Sequence, residues 1–288
     1  MLTFAQFWGE SAQISSRHQV RAAATAERGR SFKSLGFNEK QICRVLRYNS
    51  GVLILSIDTC DPHGSVALAE NDRPLGMIPH STHEAYSSWL LPAVNRLLQS
   101  GGITMKDVDL YAVAVGPGSF TGVRVGLTTA KAWAEVYGRP AAPVSRLEAV
   151  ASQRTEMAPL TGAFLDASRE QIFGALYSDI GGELQLIEEE RVADPEEFLK
   201  FADQAADGRR VSWISSDPER MEGSERWRAT REARGPVKRV GKYLAEAIGL
   251  IGYKKALKGQ TVDGLGLDAN YVRRPDAEVL WKGIAAKN

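Results

Sequence analysis

Leu110-Tyr111-Ala112-Val113-Ala114-Val115-Gly116-Pro117-Gly118-Ser119-Phe120-Thr121-Gly122-Val123-Arg124-Val125-Gly126 is the stretch from which the rest of the chain can be read. Residues 110–115 are apolar and bounded by turn formers, the signature of a buried strand. From Thr121 the apolar residues recur at helical spacing as far as Tyr137, where Gly138 and Pro140 close the helix. Strand, glycine loop and helix make one α/β unit. Glycines at such a junction let the backbone approach an anion, and the free N–H groups of the helix start favour negative charge, with Arg124 adding to it. A Gly-Lys-Ser/Thr ending is missing, so this is not a Walker-type phosphate loop. The same residues equally make a tight turn with no ligand, and both readings stay open.

Upstream, Val52-Leu53-Ile54-Leu55-Ser56-Ile57 reads as a strand, and Thr59-Cys60-Asp61-Pro62-His63-Gly64 turns it back into a second one, 65–69. Asp58 stands at the mouth of this hairpin, where it is either an ordinary turn aspartate or a carboxylate that holds a metal–nucleotide complex, as in phosphotransfer sites. Ser81 or Thr82 caps an expected helix over 83–99, kinked or broken by Pro92 and ended by Gly101-Gly102. Downstream the pattern restarts: a helix at 146–154, a strand at 163–166, a hairpin of 171–178 with 184–188, a helix at 195–206 and a strand at 210–215. A polar stretch at 217–234, a helix at 237–253 and a strand-like tail at 270–275 complete the chain. The expected domains are a basic arm (1–51), a first α/β lobe (52–145) and a second, smaller one (146–288) whose last segment returns to the first. No internal repeat is visible in the residues.

The chain has 288 residues, 43% of them hydrophobic and 25% charged, enough for about two globular domains. Two cysteines, Cys43 and Cys60, make neither a disulfide framework nor a zinc site and point to a reducing compartment. A net charge of +1 excludes a strongly basic coat over the whole chain, and no apolar run approaches the ~18–20 residues of a membrane helix. The expectation is a soluble, cytoplasmic protein. The first fifty residues differ, with eight Lys/Arg against three acids. Three readings fit them: an RNA-contacting arm, a transit peptide, or a start codon assigned too early.

Other chemistry is poorly supported. Asp179-Ile180-Gly181-Gly182 resembles a second phosphate turn but lies where a hairpin needs Gly-Gly on backbone grounds. His80 and His83 lack the spacing and acid cluster of a metal site, and Ser119 has no nucleophile elbow or evident base, which disfavours a hydrolase.

The hairpin after Leu55-Ser56-Ile57-Asp58-Thr59 and the Gly116 to Gly126 motif together resemble the TsaB (YeaZ) family, accessory subunits of bacterial tRNA threonylcarbamoyladenosine synthesis. The likeness continues through Leu165-Asp166-Ala167 and Tyr271-Val272-Arg273, covering about 52–282. It implies an actin-like, sugar-kinase-like ATPase fold with a reduced second lobe. It also implies a non-catalytic scaffold that works as a heterodimer with a TsaD-like catalytic subunit, together with a TsaE-like ATPase. The complex uses ATP and acts on tRNA, while the chain has no cofactor or metal of its own and carries no activity alone. Where the family often has Arg directly after Asp-Ala, this chain has Ser168 and then Arg169. The alternative is a self-sufficient ATPase or kinase of the same superfamily, for which Asp58, Gly118 and Gly122 would be the nucleotide-binding residues. In the scaffold reading Gly116, Pro117, Gly118, Ser119, Phe120, Thr121, Gly122 and Arg124 form a structural loop.

The partner surface can be read from helical periodicity. Val123, Leu127, Ala130, Trp133, Ala134 and Tyr137 share one arc, while Val125, Ala132 and Val136 form a stripe on the other side. The first helix has an apolar arc of about 180°, wider than a one-sided helix needs. The resemblance puts the subunit interface on these helices, so Val125, Ala132 and Val136, with Trp89, Ala93 and Leu98, are expected to meet the TsaD-like subunit or a second copy; the other reading is that both apolar faces are core of the chain itself.

Overall fold

The structure, a computed structural model, describes residues 51–80, 83–156 and 158–273; the basic arm, Cys43 and the expected caps Ser81 and Thr82 lie outside them. Strand β1 (Leu53–Asp58) is buried at every position because it is central. It pairs antiparallel with β2 (Ser65–Glu70) and parallel with β4 (Leu110–Ala114). Adding β3 (Arg73–Pro79) and β5 (Ala141–Val144) gives a five-stranded sheet of order β3-β2-β1-β4-β5. Sequence reasoning missed β3, whose Pro74, Gly76 and Pro79 are poor strand formers. They are tolerated because β3 is an edge strand and its register with β2 shifts at Leu68/Ala69.

Helix α1 (Tyr86–Ser100) runs through Pro92 and buries Trp89, Leu90, Ala93, Val94, Leu97 and Leu98. Helix α2 (Phe120–Tyr137) is capped by Ser119, whose Oγ accepts from the Gly122 N–H, and ends at Gly138 in the left-handed conformation.

The second lobe begins with α3 (Arg146–Ala151), whose first N–H groups are capped by Ser145. It continues with β6 (Leu160–Asp166), β7 (Ile172–Ile180), β8 (Glu183–Leu186), β9 (Arg191–Ala193), α4 (Pro195–Ala206) and β10 (Val211–Ser215). Two short helices, α5 (Glu219–Glu222) and α6 (Glu225–Arg234), and β11 (Lys238–Arg239) complete it. The strand order is β11-β10-β6-β7-β8, with β9 beside β7. Strand for strand, this is the first sheet again: two parallel pairs on one side of the central strand and two antiparallel pairs on the other. The repeat unseen in the residues is therefore present in the topology, because hydrogen-bond ladders and buried faces require residue classes rather than identities.

The polar stretch 217–234 proves helical. Trp227 is buried edge-on against Trp213, with ring centroids 5.5 Å apart, and Arg226 and Arg234 both pair with Asp203 of α4. Burying such a side chain contributes roughly 1.5–3 kcal/mol, enough to anchor a helix with little other apolar content. The last helix, α7 (Ala245–Leu257), starts later than periodicity suggests and packs on the first sheet. Its Gly249 and Gly252 lie on Ser56, Ala112 and Ala142, whereas Gly126 and Trp133 of α2 lie on Ile57 and Tyr111. Neighbouring strand residues point to opposite faces, so α2 and α7 sandwich the sheet. The tail at 270–273 is not a strand. No helix among the described residues is long and apolar enough to cross a membrane.

Candidate functional site

The central strands β1 and β6 each end in an aspartate followed by a turn. Asp58, at the end of β1, is fully buried. Its Oδ1 accepts the Cys60 N–H at 2.9 Å and its Oδ2 accepts Arg146 Nε at 3.0 Å. Arg146, 2% exposed, also donates to Asp61 Oδ2 and, at 3.4 Å, to the Pro117 carbonyl. Burial pushes the Asp58 carboxyl up, against the Arg146 charge that lowers it. Burial alone would lower Arg146, but Asp58 and Asp61 together push it further up and keep it charged. The carboxylate that is either a turn aspartate or a holder of a metal–nucleotide complex is thus engaged by a guanidinium of its own chain. Arg146 went unrecognised as a site residue because 88 residues separate it from Asp58.

The glycine loop packs on this turn. A Cβ on Gly118 would lie 2.2 Å from the Cys60 carbonyl oxygen, and one on Gly122 would lie 2.1 Å from that of Thr59. The Ser119 N–H donates to Cys60 O at 2.6 Å, and Thr59 Oγ1 donates to Gly122 O at 2.7 Å. Gly118 and Gly122 therefore serve close backbone approach, and the loop holds the β1–β2 turn. Only Gly116 in this loop has a positive φ, +116°. Burial pushes the Cys60 thiol well up, with the Asp58 charge adding to it.

The equivalent turn of the second lobe is 167–171, after β6. Asp166 accepts the Ser168 N–H at 2.9 Å and pairs with Arg220 at 2.9 Å. Ser168, Arg169 and Glu170 all lie in the left-handed region, with φ of 59°, 52° and 59°. Asp179 to Gly182, the stretch that resembles a second phosphate turn, is the β7–β8 hairpin, with Asp179 tied to Arg154 and to the Gly182 N–H. The sequence signal for this equivalence is an aspartate closing an apolar strand, Leu165-Asp166 matching Ile57-Asp58.

The tail straps the lobes together. The Asn270 N–H donates to Val115 O at 2.8 Å, and its Nδ2 donates to Glu190 Oε2 at 2.6 Å. Glu190 also accepts from Ser145 Oγ and from Tyr177 OH at 3.4 Å, and burial pushes its carboxyl up. Arg273 donates to Ala167 O at 2.9 Å and to Gln171 Oε1 at 2.6 Å. Between tail and glycine loop lies a cleft of about 220 Å³, lined by Pro117, Gly118, Ser119, Phe120, Val123 and Phe173 together with residues 270–273.

Of the expected interface residues, Trp89, Ala93 and Leu98 are core, buried beneath the first lobe. The wide arc of α1 is filled from within by the sheet and α2. Val125 is half-buried and Ala132 exposed, while Val136 is 75% exposed. Leu91 of α1, absent from the expected set, is 55% exposed. His80 holds the turn to the start of α1, its ring nitrogens 3.1 Å from Pro62 O and 2.8 Å from Glu84 O. Among the described residues no group of three or more His, Cys, Asp or Glu is placed to hold a metal ion.

Residues 65–217 match the family model TsaD: tRNA N6-adenosine threonylcarbamoyltransferase. The chain is 30% identical over 233 residues to the tRNA threonylcarbamoyladenosine biosynthesis protein TsaB of Bacillus subtilis, covering 79% of this chain and 97% of that protein. To the TsaB of Escherichia coli it is 29% identical over 240 residues, covering 81% and 99%. The solved structure of YeaZ from Pseudomonas aeruginosa superposes with a TM-score of 0.58 at 24% identity, over 76% of this chain and 99% of that one. The repeated sheet topology and these matches define an α/β fold of the actin-like ATPase type. Because the likeness runs through both lobes and almost the full length of two TsaB proteins, the chain belongs to the TsaB family.

Proposed function

We propose that the chain is the non-catalytic scaffold of the complex that adds a threonylcarbamoyl group to the adenosine beside the tRNA anticodon. Family membership supports the pathway. The observation that carries the non-catalytic part is the Asp58–Arg146–Asp61 cluster, in which a buried guanidinium takes the cation's place between the turn carboxylates. On this reading the chain holds no nucleotide or metal of its own, ATP is used by the complex, and a TsaE-like ATPase acts alongside. The TsaD-like catalytic subunit docks on the outer face of α2, where Val125, Ala132 and Val136 leave apolar surface uncovered. In its absence a second copy takes the same face. Compartment and tRNA contact are those of the complex, in the cytoplasm.

The test is reconstitution. The purified chain should form a stable heterodimer with a TsaD-like subunit and restore tRNA threonylcarbamoylation with a TsaE-like ATPase, while hydrolysing no ATP by itself. Metal-dependent ATP turnover by the chain alone, abolished in Asp58→Ala, would instead establish the self-sufficient ATPase.

A further inference from the structure

We propose that the cleft between the glycine loop and the tail seats an unpaired nucleotide of an RNA strand, its base against the aromatic wall and its phosphate at Arg124. This deepens the reading of the chain as part of a tRNA-modifying complex and rests on it.

Three observations carry the proposal. First, the walls are aromatic: Phe120, Phe173 and Tyr271 line the cleft, and Phe120 and Tyr271 stand with ring centroids 5.0 Å apart. Every base has a π-face, so the Tyr271 ring, 40% exposed and backed by Phe120, accepts any unstacked base. Second, the charge is one-sided. The Arg124 guanidinium lies 3.6 Å over the Phe120 ring, and its Nε donates to Tyr271 OH at 3.1 Å. Its plane is thereby fixed while both Nη groups stay without a carboxylate partner among the described residues. Among the described residues Arg273 likewise binds neutral acceptors, Ala167 O and Gln171 Oε1. Among the described residues no Asp or Glu lines this cleft. By contrast, the cleft of about 250 Å³ between β2 and α7 carries Asp72 and Glu246. Arg146, Arg220 and Lys242, by comparison, are matched by Asp58 and Asp61, Asp166 and Asp217. Third, the size selects. At about 220 Å³ the cleft is smaller than the roughly 300–1,000 Å³ of sites that engulf a whole small molecule. One base fits while its sugar and phosphate stay outside, an arrangement suited to a strand passing over the surface.

The experiment uses the full chain and an RNA hairpin carrying fluorescent aminopurine in its loop, with a blunt RNA duplex and free AMP as the other arms. Stacking in the cleft should quench the loop probe. Tyr271→Leu should abolish the quenching and weaken binding about tenfold, whereas Arg124→Gln should weaken binding and lower its salt dependence by about one phosphate contact. Both side chains are exposed, so melting should match the wild type, and Arg124→Lys should restore the salt dependence without the full affinity. Binding of duplex as tight as hairpin, or wild-type behaviour in both variants, overturns the proposal. Saturation by AMP with no response to the hairpin overturns it in favour of a free-nucleotide site. If the wild-type chain supports tRNA modification but quenching ignores Tyr271, this inference falls alone. If quenching depends on Tyr271 but the chain does nothing for modification, the scaffold reading falls instead.

Discussion

The two lobes repeat one strand order and treat the turn after the central strand in opposite ways. In the first, Asp58 is sealed beneath a glycine loop and clamped by a guanidinium that is 2% exposed. In the second, Asp166 and its partner Arg220 remain 31% and 43% exposed, and the turn passes through three left-handed residues. The difference traces to the helix that succeeds the neighbouring strand in each lobe. After β4 the glycines admit an eighteen-residue helix to backbone contact, while after β10 the chain makes only the four-residue α5 and the ten-residue α6. Topology therefore sets where a turn lies, and the side chains around it decide whether it is a site or a clamp.

The largest expected break comes from the clamps. Arg146→Ala leaves two carboxylates without their cation, one of them fully buried, and should cost about 3–5 kcal/mol in urea unfolding. Arg220→Ala should cost about 1 kcal/mol or less, being a solvent-screened pair. Equal losses would show that the lobes do not differ in this way.

The glycines sharpen the same contrast. Gly118→Val drives a side chain into the Cys60 carbonyl and should cost about 3 kcal/mol together with partner binding. Gly181→Ala in the second-lobe hairpin has open space around it and only a positive φ of +64° to strain, so about 1–2 kcal/mol is expected. Thermal unfolding of the two variants checks the ranking.

The outer and inner faces of the first lobe are separated by a pair of charges. Ala132→Glu, on the exposed face of α2, should leave stability within about 0.5 kcal/mol and abolish heterodimer formation in size-exclusion chromatography. Ala93→Glu buries an unpaired carboxylate and should unfold the free chain. A stable Ala93→Glu protein would contradict the assignment of the α1 arc to the core.

The smallest effect is a pH slope. Burial raises Glu190, so its contribution to stability is fully present below its ordinary value of about 4.5 and is lost as pH rises through the raised value. Asp217 runs the other way. Its hydrogen bonds from Ser216 and Lys242 outweigh burial and lower it, so its contribution is present above its ordinary value of about 3.8 and is lost as pH falls through the lowered one. Glu190→Gln should flatten the decline in stability above pH ~4.5; an unchanged slope would remove Glu190 as its source.

Much of this architecture was legible in the residues. The run 52–57, the turn formers behind it and the glycine motif define β1, the hairpin and α2, because a central strand must be apolar on both faces and a strand-to-helix junction at contact distance excludes side chains. The β7–β8 hairpin was legible for a similar reason, through Gly-Gly, and α4 lies where a helix is expected at 195–206. The edge strand β3, the arginine-rich α6 and the late start of α7 were not, since their stability comes from neighbours rather than from their own pattern.

Local pattern thus established a strand ending in Asp58, a hairpin behind it and a glycine loop 58 residues further on, each from short-range backbone and burial rules. Tertiary structure alone decided what those parts do together. It set Arg146 between Asp58 and Asp61, turned the apolar arc of α1 inward and Val136 outward, and laid Tyr271 against Phe120 and Arg124. The physical reason is range. Helix and strand patterns are set by residues a few positions apart, whereas an ion pair, a buried face or a cleft depends on which distant segments the folded sheets bring within a few ångströms of each other.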